Sequence, residues 1–132
     1  MDYQKLVKAA LKARGSSHSP YSKFRVGAAL LSASGKIYSG CNIENSSFSL
    51  TICAERTAIF KAYSEGERKF RAIAIASDSP EAIPPCGACR QVIQELSPGI
   101  DVLLADNKGR FEVYGTEELL PHPFTQNFLK KK

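Results

Sequence analysis

Thr51-Ile52-Cys53-Ala54-Glu55-Arg56 and Pro85-Cys86-Gly87-Ala88-Cys89-Arg90 are the two stretches around which this chain is organised. The first offers one thiol and, two residues on, one carboxylate; the second offers two thiols in a C-x-x-C spacing. Each reads as a loop passing into a helix. Pro84-Pro85 stands just before Cys86, and proline is tolerated in a first helical turn. Cys86 and Cys89 then share one face of that turn, and Cys53 opens the other helix. Two helix N-termini facing each other present positive dipole ends to thiolates, which lowers thiol pKa and stabilises an anionic metal cluster. Three thiolates can hold a zinc ion and leave its fourth position open, as catalytic rather than closed structural sites do. Glu55 beside that position can carry protons. Three thiolates make zinc a poorer Lewis acid than histidines do, so Arg56, three residues after Cys53, is the natural donor of charge-withdrawing hydrogen bonds to sulfur.

Working outward, a helix is expected over residues 52–63, stopped by Gly66, and another over residues 86–96, ended by Pro98-Gly99. Between them, residues 70–76 are apolar and β-branched, which suits a central strand, and residues 77–85 form a loop with three prolines. Residues 100–105 and 111–114 read as strands joined by Asp106-Asn107-Lys108-Gly109, too short for a parallel crossover and therefore antiparallel. Upstream, Leu6, Val7, Ala10 and Leu11 oppose Lys5, Lys8, Lys12 and Arg14, a helical period over residues 2–14 closed by Gly15. Residues 24–33 read as a strand buried on both faces, Ser34-Gly35 as a two-residue turn, and residues 36–41 as the second strand of a hairpin. Residues 42–50 read as a polar loop, residues 116–120 as a short helix capped by Thr116, and the remainder as tail. The order α-β-β-α-β-α-β-β predicts an α/β fold, a three-layer α-β-α sandwich built on a mixed five-stranded sheet.

The 132 residues fit one domain over 1–132, with a lysine-rich tail from about residue 125. A hydrophobic content of 43% is too high for a disordered chain. No apolar run approaches the roughly 20 residues that span a bilayer, and Met1-Asp2-Tyr3-Gln4-Lys5 lacks the basic-then-apolar pattern of a signal peptide, so a cytoplasmic protein is expected. In a reducing compartment, Cys41, Cys53, Cys86 and Cys89 point to metal before disulfides. Of the net charge of +5, three charges are Lys130-Lys131-Lys132, read as a solvated tail. No basic stripe interleaved with aromatics appears, so neither nucleic acid nor membrane is expected as a partner.

The residues alone leave other readings open. A C-x-x-C can be a redox pair. A closed structural zinc site needs a fourth ligand, for which Cys41, His18 and His122 are available. Glu55 can be a solvated helix residue, and a zinc-stabilised binding module needs no catalysis.

Zinc nucleobase deaminases carry H-x-E…P-C-x-x-C, with a three-cysteine variant; here it stands as Cys53-Ala54-Glu55 and Pro85-Cys86-Gly87-Ala88-Cys89. With Pro20-Tyr21-Ser22-Lys23-Phe24, Gly40-Cys41-Asn42-Ile43-Glu44-Asn45, Arg56-Thr57-Ala58 and Glu118-Leu119-Leu120-Pro121, the chain resembles the small, homotetrameric, zinc-dependent class of cytidine deaminases over roughly residues 3–124. The resemblance implies a cytidine deaminase-like fold and hydrolysis of cytidine and 2′-deoxycytidine to uridine and 2′-deoxyuridine with release of ammonia, a pyrimidine-salvage reaction. It implies one Zn²⁺ per chain on Cys53, Cys86 and Cys89, with Glu55 as the catalytic proton carrier. It implies Asn42 and Glu44 on the ribose 3′-hydroxyl, Phe24 against the pyrimidine or sugar, and Ala54 as a further substrate contact. Phe124 resembles the aromatic that a neighbouring subunit lends to the pocket; the alternative is an ordinary packing residue. Phe48 stands where many relatives carry tyrosine, so that hydroxyl is missing here. Two other deaminase substrates fit the sequence less well. A polynucleotide substrate clashes with a grip on the 3′-hydroxyl, and a cytosine nucleoside analogue sits poorly with Asn42-Ile43-Glu44-Asn45.

Overall fold

Alternation of side chains along three strands separates two layers of helix. In the computed structural model, which describes residues 2–129, β1 (Val26–Ser32) and β2 (Ile37–Cys41) form an antiparallel hairpin. β3 (Phe70–Ser77) lies antiparallel to β1 and parallel to β4 (Asp101–Ala105), and β5 (Phe111–Gly115) closes the sheet antiparallel to β4. The strand order β2-β1-β3-β4-β5 makes β3 central, as its apolar sequence predicts. Ala28 and Leu30 of β1, Ile73 and Ile75 of β3, and Val102 and Leu104 of β4 face one way, against α2 (Ala54–Ser64) and α3 (Gly87–Leu96). Ala29, Leu31, Ala72, Ala74, Ala76, Leu103 and Ala105 face the other way, against Leu6, Val7 and Ala10 of α1 (Tyr3–Ala13). The three-layer α-β-α sandwich on a mixed sheet is therefore the fold. Each Leu or Ile fully buried between layers contributes about 1.5–3 kcal/mol.

Two glycines show how closely the helices sit. A Cβ on Gly27 would lie 2.0 Å from the Ala10 carbonyl oxygen of α1. A Cβ on Gly40 would lie 2.6 Å from Ala58 N and 2.7 Å from Ala54 O of α2. The second contact seats the N-terminal half of α2 against β2, and with it Cys53 and Glu55.

Several boundaries differ from the sequence expectation. The β1–β2 connection is residues 33–36 rather than a two-residue turn, because Ser32 takes up both Lys36 N and Lys36 O-side pairing; its N–H donates to Lys36 O at 2.9 Å and its Oγ accepts from Lys36 N at 3.1 Å. α4 (Thr116–Leu119) is capped at Gly115, not Thr116: Glu118 reaches back to Gly115 N at 2.7 Å, which makes Thr116 the first helical residue. The loop after β2 carries a 3-10 turn at Phe48–Leu50, and the segment read as tail carries another at Gln126–Leu129. Lys130, Lys131 and Lys132 of the expected basic tail lie outside the described residues. Among the described residues, no helix is long and apolar enough to cross a membrane.

Candidate active site

The site assembles where three backbone segments converge. After β2 the chain runs on in extended form, with His18 N donating to Asn42 O at 3.1 Å and Glu44 N to His18 O at 2.8 Å. Ile43 and Ile52 exchange two backbone hydrogen bonds of 3.0 Å, which sets Asn42 and Glu44 beside the segment leading into Cys53. Cys53 is the N-cap of α2 and Cys86 the N-cap of α3, with Cys89 in the first turn of α3. At the start of α3, Cys89 N donates to Cys86 Sγ at 3.4 Å, and both helix starts bring their positive dipole ends to this corner.

The three Sγ atoms of Cys53, Cys86 and Cys89 lie within 4.8 Å of one another, with Cys53 and Cys86 at 3.8 Å. Sulfurs bound at about 2.3 Å in a tetrahedron are about 3.8 Å apart, so the trio fits one zinc ion. Among the described residues, Cys41, His18 and His122 are not in the group. Three donors leave one tetrahedral position free of protein. The hydrogen bond from Cys89, and after it the Arg56 guanidinium, bring Cys53 down to about 5 against the opposing effect of burial. Its hydrogen bond to Cys53 and its burial push Cys89 up. Cys53 thus gives up its proton readily while Cys89 holds its own, which a bound metal displaces. Arg56 Nη2 donates to Cys53 Sγ at 3.4 Å, while its Nε is buried with no partner.

Glu55 follows Cys53 into the protein and is only 4% exposed. Burial, above all, pushes its carboxyl from 4.5 up to about 7. It lines a cavity of about 310 Å³ together with Cys53, Cys86, Ala54, Phe24, Asn42 and Glu44. A second chamber of about 430 Å³, bounded by Tyr21 and Phe48, joins it and shares Ser22, Glu44 and Thr51. Phe124 is elsewhere: Gln91 of α3 holds its backbone at both ends, Nε2 donating to Phe124 O at 2.5 Å and Oε1 accepting from Phe124 N at 3.3 Å. Its ring stacks on Phe128 at 5.7 Å.

The profile of the cytidine and deoxycytidylate deaminase zinc-binding region matches residues 1–104. The chain belongs to this deaminase family. It is 52% identical to a cytidine deaminase of Halalkalibacterium halodurans over 95% of this chain and 96% of that one. It is also 52% identical to a cytidine deaminase of Sporosarcina psychrophila, over 98% and 96%. A crystal structure of cytidine deaminase from Burkholderia pseudomallei superposes with a TM-score of 0.91 at 45% identity, covering 94% of this chain and all of that one. As a member of the deaminase family, the protein is a zinc enzyme acting on a small molecule, and Cys53, Cys86 and Cys89 are the group positioned for its metal.

The motif text led to the cysteines and Glu55 but not to the residues that orient their surroundings. Ser22 binds both Phe24 and Glu44, and Ser17 Oγ donates to Asn42 Oδ1 at 2.5 Å. Arg90 ties the loop before Cys86 to the end of α4, donating to Pro85 O at 2.8 Å and Leu119 O at 2.9 Å. Arg90 and Gln91 had one signal, their place directly after the C-x-x-C of this deaminase motif. Ser22 had its place in Pro20-Tyr21-Ser22-Lys23-Phe24 as a signal but not its bond to Glu44, 22 positions on, and Ser17 had none, its partner Asn42 being 25 positions away.

Proposed function

We propose that this deaminase hydrolyses cytidine and 2′-deoxycytidine to the uridine nucleosides and ammonia. The observation that carries this reading is a buried carboxyl, poised near neutrality, in the same cavity as a three-sulfur metal group with one position free of protein ligands. Bound there, zinc supplies Lewis acidity at that position. Glu55 takes a proton from the attacking water and delivers it to N3, which makes C4 electrophilic. The hydroxide so formed adds to C4, Glu55 takes the proton of that new hydroxyl and passes it to the exocyclic amine, and as C4=O forms the C4–N bond breaks and ammonia leaves. A carboxyl near the working pH is suited to both halves of that transfer. Arg56 draws charge from Cys53 and so limits the loss of Lewis acidity that thiolate ligands bring.

The sugar end follows from hydrogen-bond capacity. Asn42 Oδ1 accepts from Val26 N at 2.9 Å and from Ser17, and Nδ2 donates to Phe24 O at 2.8 Å. Backbone partners thus fix the amide orientation and leave one N–H to offer. Glu44 is acceptor-only, with Oε1 occupied by Tyr21 N and Ser22 N. One donor beside one acceptor suits a hydroxyl, which we assign to the 3′ position of the ribose. Ala54 offers an unpaired N–H at the start of α2 to a pyrimidine oxygen, and Phe24 packs on the ring. Phe124, held outward by Gln91, serves a neighbouring subunit of a homotetramer. We read the chain as one domain over residues 1–132, working in the cytoplasm without a nucleic-acid partner.

The test is ultraviolet absorbance on adding cytidine to the zinc-loaded protein. It should fall, stop falling with a chelator, and drop in rate by about 10³-fold or more in Glu55→Ala with zinc retained. Substantial turnover by Glu55→Ala would defeat the assignment.

A further inference from the structure

Phe24 and Glu44, placed around the sugar, are joined through Ser22, to which the resemblance assigns no role. Phe24 N donates to Ser22 Oγ at 3.0 Å. A backbone N–H can only donate, so the hydroxyl proton of Ser22 is free to point elsewhere. It points to Glu44 Oε2, which can only accept. Glu44 Oε1 is pinned in turn by Tyr21 N at 3.0 Å and Ser22 N at 3.1 Å. The turn that presents these groups is closed by Lys23 N on Ser19 O at 3.0 Å and puts Lys23 at a φ of 59°. Few non-glycine residues adopt that conformation unless their surroundings enforce it. Ser22 borders both chambers of the cleft.

We propose that Ser22 is a positioning residue that sets specificity for a hydroxylated sugar by aiming the free lone pair of Glu44 Oε2 at the substrate. Oε1 is anchored by two amides, so the Ser22 hydroxyl is what fixes rotation of the carboxylate about that anchor. Without it, Oε2 turns toward water and the donor–acceptor pair of Asn42 and Glu44 loses its spacing. This rests on the assignment of Asn42 and Glu44 to a sugar hydroxyl.

The experiment compares 2′-deoxycytidine with 2′,3′-dideoxycytidine, which lacks the hydroxyl, on zinc-loaded wild type, Ser22→Ala and Ser22→Thr. Ser22→Ala should lose about tenfold in kcat/KM on 2′-deoxycytidine, carried by KM, and less than about twofold on the dideoxy compound. Ser22→Thr, which keeps the hydroxyl, should recover most of the loss. In a Glu44→Gln background, Ser22→Ala should add little, since both act on one contact. Equal losses on the two substrates, or fully additive losses with Glu44→Gln, overturn the proposal. A wild type that treats both nucleosides alike removes the assignment of Glu44 and this proposal together. A wild type that discriminates beside a Ser22→Ala enzyme that discriminates equally well removes the proposal alone.

Discussion

Burial prepares Glu55 for proton transfer and at the same time weakens the fold that holds it. With an ordinary value of 4.5 and a folded value of about 7, the native metal-free chain binds more protons than the unfolded chain between those limits. Stability therefore falls as pH rises through that window and levels off above it. Glu55→Gln keeps the shape and removes the titration. In chelator-treated protein its advantage over wild type should be absent below pH 4.5, grow up to about 7, and settle on the order of 3 kcal/mol. Urea denaturation at several pH values across the window checks this; a gap that does not change with pH would contradict it. Arg56 acts on rate rather than on metal retention. Arg56→Gln should lower kcat with zinc content still near one per chain, as followed by metal analysis beside the activity assay. Unchanged kinetics would remove its charge-withdrawing role.

At the scale of elements, the helices are positioned by what the strands lack. Gly27→Ala and Gly40→Ala each place a Cβ against helix backbone, at 2.0 Å from Ala10 O and at 2.6 Å from Ala58 N. Backbone has no rotamer with which to give way, so each should lower stability by about 1–3 kcal/mol or more. The two differ in consequence. Gly40→Ala displaces α2, which begins at Cys53, and should also weaken zinc affinity in a competition titration. Gly27→Ala displaces α1 on the far face and should leave it unchanged. Equal zinc affinity in both variants would mean that the seat of α2 does not govern the metal group. Neither helix contact was legible in the sequence. The strand and helix order was, because Ile73 and Ile75 alternate with alanines on a strand buried from both sides and because Leu6, Val7 and Ala10 repeat at helical spacing. The metal ligands were legible because Pro84-Pro85 and the C-x-x-C spacing mark one helix start, and Cys53-Ala54-Glu55 completes the deaminase pattern. The contacts of Ser17 with Asn42 and of Ser22 with Glu44 depend on partners that chain order does not bring together.

Across the whole molecule, Tyr21, Phe48, Leu50, Phe124, Phe128 and Leu129 each leave more than half of their surface exposed. That much apolar area on one chain is what contact with further copies would cover, in keeping with the proposed homotetramer. A complementation experiment decides whether Phe124 works across the boundary. Glu55→Ala chains keep Phe124, and Phe124→Ala chains keep Glu55. If sites are shared, dissociating and reassociating a mixture should give more activity than the two preparations separately, with size-exclusion chromatography reporting the assembly. Merely additive activity would mean that each chain's aromatic serves only itself. The thiol trio has a consequence of its own at this scale. Cys53 and Cys86 stand 33 positions apart, so an ion held between them is a removable cross-link that fastens two distant parts of the polypeptide. By loop-closure entropy such a tie is worth about 3–4 kcal/mol. Heat resistance should then track free-metal concentration, and a scavenger of zinc would strip the protein of its endurance along with its chemistry.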